Sequence, residues 1–244
     1  MMQRLTYWLA GALVAFSGAG ASAQDTARNE TQGTQDNPVV VELFTSQGCS
    51  SCPAADAVLS ELGAMDDVIP LALHVDYWDY IGWADSFADT AFTKRQKGYA
   101  RASGRRSIYT PQMMIGGTHD VIGSRPMKVM DAIDKASNVP PKARLSLERN
   151  GDMLVIRAEP LETLPATNVQ MVRYKPQAKV DILDGENAGR NVTYTHIAHD
   201  WRMLGLWDGA EPLELRIAVE GSDPIVVMLQ GEDYGPMFAA ARLR

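Results

Sequence analysis

Cysteine is scarce. The 244 residues contain only two, Cys49 and Cys52, which excludes a framework of several disulfides. A bond between them would close a minimal loop. Disulfides stabilise mostly by closing long loops, so a staple is a poor use of the pair. Redox chemistry, half of a metal site, and two inert thiols remain open. Basic charge is also short, with 23 Lys and Arg against 30 Asp and Glu and a formal charge of −7. That balance argues against general nucleic-acid binding. Beyond the first residues, no segment reaches the ~20 apolar residues that a membrane span needs. There is no internal repeat. The 12 methionines form no Met-x-x-Met array of the kind a copper carrier uses.

What is present begins with an export signal. Arg4 supplies a positive start, Leu5 to Phe16 a short apolar run, and Ala21-Ser22-Ala23 a small-x-small cleavage site. The expectation is a signal peptide over residues 1–23, a mature chain from Gln24, and a periplasmic or secreted location without stable membrane insertion. Residues 24–37 are polar and read as a flexible leader. The remainder, in a chain 45% hydrophobic, can bury a sizeable core.

Two regions follow, with Pro140-Pro141 marking the change. In 38–139, Val39 to Phe44 reads as a buried strand carrying one charge, Glu42. After a turn, Cys49-Ser50-Ser51-Cys52-Pro53 opens a helix on which Ala55, Val58, Leu59 and Leu62 recur at helical spacing. Val68 to Val75 reads as a second strand, Ala84 to Ser103 as a helix, Pro111 to Ile122 as a hairpin, and Pro126 to Ala136 as a last helix. In 140–244 the pattern turns to alternation. Strands are expected around Leu145, Met153 to Ile156, Val169 to Tyr174, Val192 to Ile197, Leu213 to Val219 and Ile225 to Leu229, a β-rich, sandwich-like module.

A strand, a tight turn and Cys-x-x-Cys at a helix start form a specific arrangement. Helix N-termini carry unpaired N–H groups and partial positive charge, both of which stabilise a thiolate. Cys49, ahead of the helix, is expected to be the exposed nucleophile, and Cys52, one turn in, the resolving thiol.

Tyr109-Thr110-Pro111, directly before the hairpin, extends the pattern. From Val39 to Ala136 the order of elements resembles the thioredoxin superfamily. That resemblance implies an α/β thioredoxin-like N-terminal domain, a cis Thr110–Pro111 bond facing the cysteines, and catalytic roles for Cys49, Cys52, Thr110 and Pro111. Phe44-Thr45-Ser46-Gln47-Gly48-Cys49-Ser50-Ser51-Cys52-Pro53, His74-Val75-Asp76-Tyr77-Trp78-Asp79, Tyr109-Thr110-Pro111-Gln112 and Gly185-Glu186-Asn187 resemble a secreted bacterial family called domain of unknown function 1223. Three features depart from true thioredoxins. Gly48 replaces a tryptophan, Ser-Ser replaces Gly-Pro between the cysteines, and an insertion is expected around Trp78 to Trp83.

Auxiliary candidates are Glu42, His74 and Asp76. His74 and Asp76 alternate along one strand and should face the same way. His74 would then steady a thiolate or complete a Cys49-Cys52-His74 metal site, unless it is a core histidine bonded to a neighbour. Glu42 in a buried strand needs a partner or a proton. It would serve Cys52 as a proton carrier or form a structural hydrogen bond. Tyr77, Trp78, Tyr80 and Trp83 read as core or as a peptide groove. Lys94, Arg95, Lys97, Arg101, Arg105 and Arg106 read as a solvated helix end or as a surface that steers an acidic partner. His196 and His199 are poorly spaced for one metal.

The leading expectation is a periplasmic thiol–disulfide oxidoreductase without a cofactor, acting on protein thiols or disulfides. The alternatives are a copper or other soft-metal binding protein using the same cysteines, and a redox-inactive thioredoxin-fold binding module.

Overall fold

The two central strands hold no side chain that faces water. In the computed structural model, which describes residues 32–33 and 37–244, β2 (Val39–Thr45) and β3 (Val68–His74) are buried along their whole length and pair in parallel, from Val39↔Val68 to Thr45↔His74. Such strands need cover on both faces. On one face Val41, Leu43 and Ala72 pack against α1 (Pro53–Leu62) and α3 (Pro126–Ser137). On the other, Val40, Phe44, Leu71 and Leu73 meet Phe92 and Tyr99 of α2 (Thr90–Ala102). Then β4 (Gln112–Ile115) lies antiparallel to β2, and β5 (His119–Ile122) closes the edge. The expected signal peptide lies outside the described residues, as does most of the expected leader. Within that leader, β1 (Gln32–Gly33) pairs with β6 (Ala143–Asn150).

From β6 onward the chain is built of strands: β7 (Met153–Pro160), β8 (Thr167–Asp181), β9 (Asn191–Trp207), β10 (Leu213–Ala218), β11 (Ile225–Gly231) and β12 (Met237–Leu243). They divide between two sheets. β8, β9, β11 and β12 continue the first sheet, giving one eight-stranded sheet in the order β12-β11-β8-β9-β3-β2-β4-β5. The expected boundary at Pro140-Pro141 is thus a change in connection, and the large sheet runs across it. The junction is narrow, with Ala72↔Ile197 as the one paired position between β3 and β9. A second sheet, β1-β6-β7-β10, covers one face of the added strands, packing Leu147, Leu154 and Ile156 against Met171, Val227 and Leu229. The molecule is a mixed α/β protein built on a large sheet. Among the described residues no helix is long and apolar enough to cross a membrane.

Two expectations shift. The helix expected from Ala84 starts only at Thr90. The Asp89 side chain accepts the Ala91 N–H and caps it, while Asp85 accepts the N–H groups of Gln47 and Phe87 and so is taken up by the preceding loop. β3 ends at His74, so the alternation expected to align His74 with Asp76 stops short. Asp76 instead accepts the Thr93 hydroxyl at 2.5 Å.

Candidate functional site

β2 delivers the chain to a turn at the end of the sheet. There Ser46 O accepts the Cys49 N–H, and Cys49 O accepts the Cys52 N–H. Cys49 and Cys52 are joined as a disulfide. Pro53 opens α1, where its missing N–H costs nothing, and no side chain caps the helix. Cys49 is not the exposed sulfur that its position suggested. It is 1% exposed and Cys52 is 0% exposed. Exposure falls on Ser50 and Ser51 between them.

The Thr110–Pro111 bond is cis. The Thr110 hydroxyl donates to Cys49 Sγ at 3.2 Å and accepts the Trp78 indole N–H at 2.8 Å. Trp78 belongs to the insertion, which makes a 3-10 turn over Asp79–Ile81. This explains Gly48. A Cβ there would stand 3.3 Å from Trp78 Cβ and 3.3 Å from Ile81 Cδ1. The insertion fills the space that a larger residue before Cys49 would need. Trp83 also reaches the turn, donating to the Gln47 side chain at 2.8 Å, while Tyr80 is 81% exposed. Tyr77 packs against the core cluster on the α2 face, so the four aromatics have different surroundings.

Beneath the turn, on the α1 face, lies a buried polar cluster. His74 Nδ1 is 2.7 Å from Asp85 Oδ2, which also accepts the Gln47 N–H at 2.8 Å. Asp85 is the acceptor, so Nδ1 carries the hydrogen. His74 Nε2 is buried without a partner, and the ring packs edge-on against Phe87 and Tyr194. Asp56 follows Cys52 by one helical turn, and its N–H donates to Cys52 O. One carboxyl oxygen accepts the Thr45 hydroxyl at 2.8 Å, and the other is buried without a partner. Burial pushes the Asp56 carboxyl up to about 6, against the pull of His74 and the Thr45 hydrogen bond, with Asp85 adding to the rise. Asp56 and Asp85 escaped sequence reasoning. The available signal was a carboxylate on the apolar face of α1.

Glu42 lies elsewhere. Residues 40, 42 and 44 face α2, and Glu42 takes the Arg95 Nε–H at 2.5 Å and the Tyr99 hydroxyl at 2.5 Å. Its role is the structural one. Arg95 does not belong to a solvated helix end. It is 8% exposed and also donates to Gln170 and Gln230, under the Trp201 ring at 4.3 Å. A cavity of about 460 Å³ opens beside it, walled by Phe92, Trp201 and Tyr234. Its polar floor is bonded to itself. Among the described residues no group of three or more His, Cys, Asp and Glu side chains is placed to hold a metal ion, so Cys49, Cys52 and His74 do not make one. His199 pairs with Asp223 at 3.0 Å and His196 stacks on Tyr174, so those two histidines do not converge.

The second half of the chain reaches the turn through the loop between β8 and β9. Asn187, 1% exposed, donates its amide to Gln47 O and Cys49 O, both at 2.9 Å. Glu186 Oε2 accepts the Ser50 N–H at 3.3 Å. Gly185 permits the approach. At φ +75° it stands where a Cβ would lie 3.2 Å from Trp83 Cβ.

Comparison with known proteins places this architecture among relatives. The family described as protein of unknown function (DUF1223) matches residues 40–230. A protein of Agrobacterium tumefaciens, known from its crystal structure, is 32% identical with a TM-score of 0.74, over 86% of this chain and 95% of that one. The HBP35 protein of Porphyromonas gingivalis has a similar fold at 13% identity, with a TM-score of 0.59 over 86% of this chain and 76% of that one. No curated protein matches the sequence.

Proposed function

We propose that this chain, which belongs to the family of proteins of unknown function DUF1223, is an exported thiol–disulfide oxidoreductase with a thioredoxin-like core. The observation that carries the reading is a disulfide at the start of α1 whose Cys49 sulfur receives the hydroxyl of Thr110, the residue before the cis proline. The order β3-β2-β4-β5, with α1 and α3 on one face and α2 on the other, supports the thioredoxin-like part. The charged, apolar and small-residue pattern of the first residues supports export to the periplasm or beyond.

The chemistry balances within the two partners. A partner thiolate attacks Cys49 Sγ, the Cys49–Cys52 bond breaks, and Cys52 leaves as a thiolate that takes up a proton. The partner's second thiolate then attacks its own sulfur in the mixed disulfide and releases Cys49. Two electrons and two protons pass to the cysteine pair, and the partner leaves as a disulfide. The reverse sequence reduces a partner. Helix N–H groups and the Thr110 hydroxyl stabilise the Cys49 thiolate. Asp56, one turn beyond Cys52 and with a carboxyl near 6, is the buried acid suited to hold the proton that Cys52 exchanges.

The test is disulfide exchange of the mature protein in glutathione buffers, with the Cys52→Ser variant used to trap partners. The expected result is a reversible two-electron transition and mixed disulfides through Cys49. A pair that stays oxidised in every buffer, with no trapped species, would overturn the proposal in favour of a binding module. Export is tested by mass spectrometry on protein from the native cell, where the chain should begin at Gln24. An intact Met1 on a soluble cytoplasmic species would refute it.

A further inference from the structure

The cysteine turn is built from both halves of the chain. Asn187 bonds the carbonyls on either side of Gly48, and Glu186 lays a carboxylate on the amide that follows Cys49. Asn187 is buried while Glu186 is exposed. The first is therefore an anchor, and the second holds a charge at the surface of the site. The Ser50 N–H belongs to the residue that directly follows Cys49, just ahead of the helix start. The Glu186 carboxylate is thus bonded to the amide next in sequence to Cys49, and in the reduced protein it would repel a thiolate there over a range set by the Debye length of about 8 Å at physiological salt.

We propose that the loop between β8 and β9 completes the redox site. In this assignment Asn187 holds the backbone of the cysteine turn, and Glu186 is a positioning residue that disfavours the Cys49 thiolate and so biases the pair toward the disulfide. The inference rests on the oxidoreductase reading and gives it a direction. A pair whose reduced form is less stable is a stronger electron donor, so the preferred substrates are protein disulfides, and the dithiol must be regenerated by a dithiol donor. The half-reaction is unchanged, with two electrons and two protons converting the disulfide to two thiols. Glu186 alters only its balance. Asp56, His74 and Asp85 lie on the α1 side beneath the turn and are common to all variants, so a difference on changing Glu186 reports that carboxylate.

The experiment compares wild type with Glu186→Gln, which removes the charge at an exposed position and leaves Asn187 in place. Two quantities are read. One is the pH midpoint of iodoacetamide alkylation at Cys49 in the reduced protein. The other is the equilibrium constant for reduction of the disulfide by two glutathione thiols. The variant's midpoint should fall, and its constant should rise about threefold, because an exposed charge acts weakly. The difference should shrink at about 1 M salt, where the Debye length is about 3 Å. Combining Glu186→Gln with Asn187→Ala should give no further change beyond Asn187→Ala alone, since an unanchored loop no longer presents the charge. Exchange that proceeds equally in wild type and Glu186→Gln would overturn this inference and leave the oxidoreductase reading standing. Absence of exchange in both would overturn both. If Asn187→Ala does not fold, the Glu186→Gln comparison decides by itself.

Discussion

Thr110 and Cys49 are joined by a hydrogen bond from hydroxyl to sulfur at 3.2 Å, across 61 positions of sequence. The same oxygen accepts the Trp78 indole N–H, which fixes the direction in which it can donate. A donor aimed at sulfur favours a thiolate over a thiol.

Thr110→Val keeps the branched shape and removes this donor. The alkylation midpoint of reduced Cys49 should rise, and its rate at neutral pH should fall about threefold to tenfold, as expected for a lost bond of ~1 kcal/mol. The folded fraction, followed by circular dichroism, should stay near that of wild type. An unchanged midpoint would show that the hydroxyl does not act on the sulfur.

Asp56 predicts how stability depends on pH. Its carboxyl lies at about 6 in the folded protein against 3.8 in the unfolded chain. Between those values the folded state holds the proton more tightly, so the contribution of Asp56 declines as pH rises from about 4 to about 6 and stays low above. At ~1.4 kcal/mol per pH unit the full effect is at most about 3 kcal/mol. Asp56→Asn should therefore be more stable than wild type at pH 7, with the gap closing near pH 4. Urea denaturation at several pH values measures this, and a gap independent of pH would contradict it.

The Glu42–Arg95 pair crosses the core between β2 and α2. Arg95→Met leaves a buried carboxylate without its cation and should cost about 3–5 kcal/mol in chemical denaturation. The double change with Glu42→Leu should recover much of that loss, because no charge is then stranded. Equal losses for the single and double variants would mean that the volume of Arg95 matters and its charge does not.

Asn187 holds both Gln47 O and Cys49 O with one side-chain amide. Asn187→Ala leaves two carbonyls and should cost about 1–3 kcal/mol. Thermal melting reads the loss, and a melting point equal to wild type would remove Asn187 as an anchor.

Much of this was legible in the residues, and the failures have identifiable causes. Elements with local signals, such as the two apolar strands and the Pro53 helix, emerge from periodicity and turn chemistry. The lengths of β8 and β9 do not, because their distal ends alternate weakly and are exposed at many positions. β12 is missed because Phe238 to Ala241 is mostly alanine, a poor strand former held here by the pairing from Ile225↔Leu243 to Gln230↔Met237. At the site, Cys49, Cys52, Thr110 and Pro111 are marked by motif and position. Asp85 and Asp56 are hidden because each reads as an ordinary helix-start residue. Glu42 is misleading because a lone acid in a strand carries no sign of its cation, which here comes from a helix 53 positions away.

The Arg95 knot bears on whether the first half of this molecule can be treated as a detachable part. Ending the chain near residue 139 would remove Gln170, Gln230, Trp201 and Tyr234, which surround the guanidinium. It would also uncover β3, a fully buried and mostly apolar strand, as a raw sheet edge open to edge-to-edge aggregation. Fragments cut at this boundary should therefore precipitate on expression. Engineers wishing to transplant the cysteine site onto another scaffold must carry the β8–β11 strands with it.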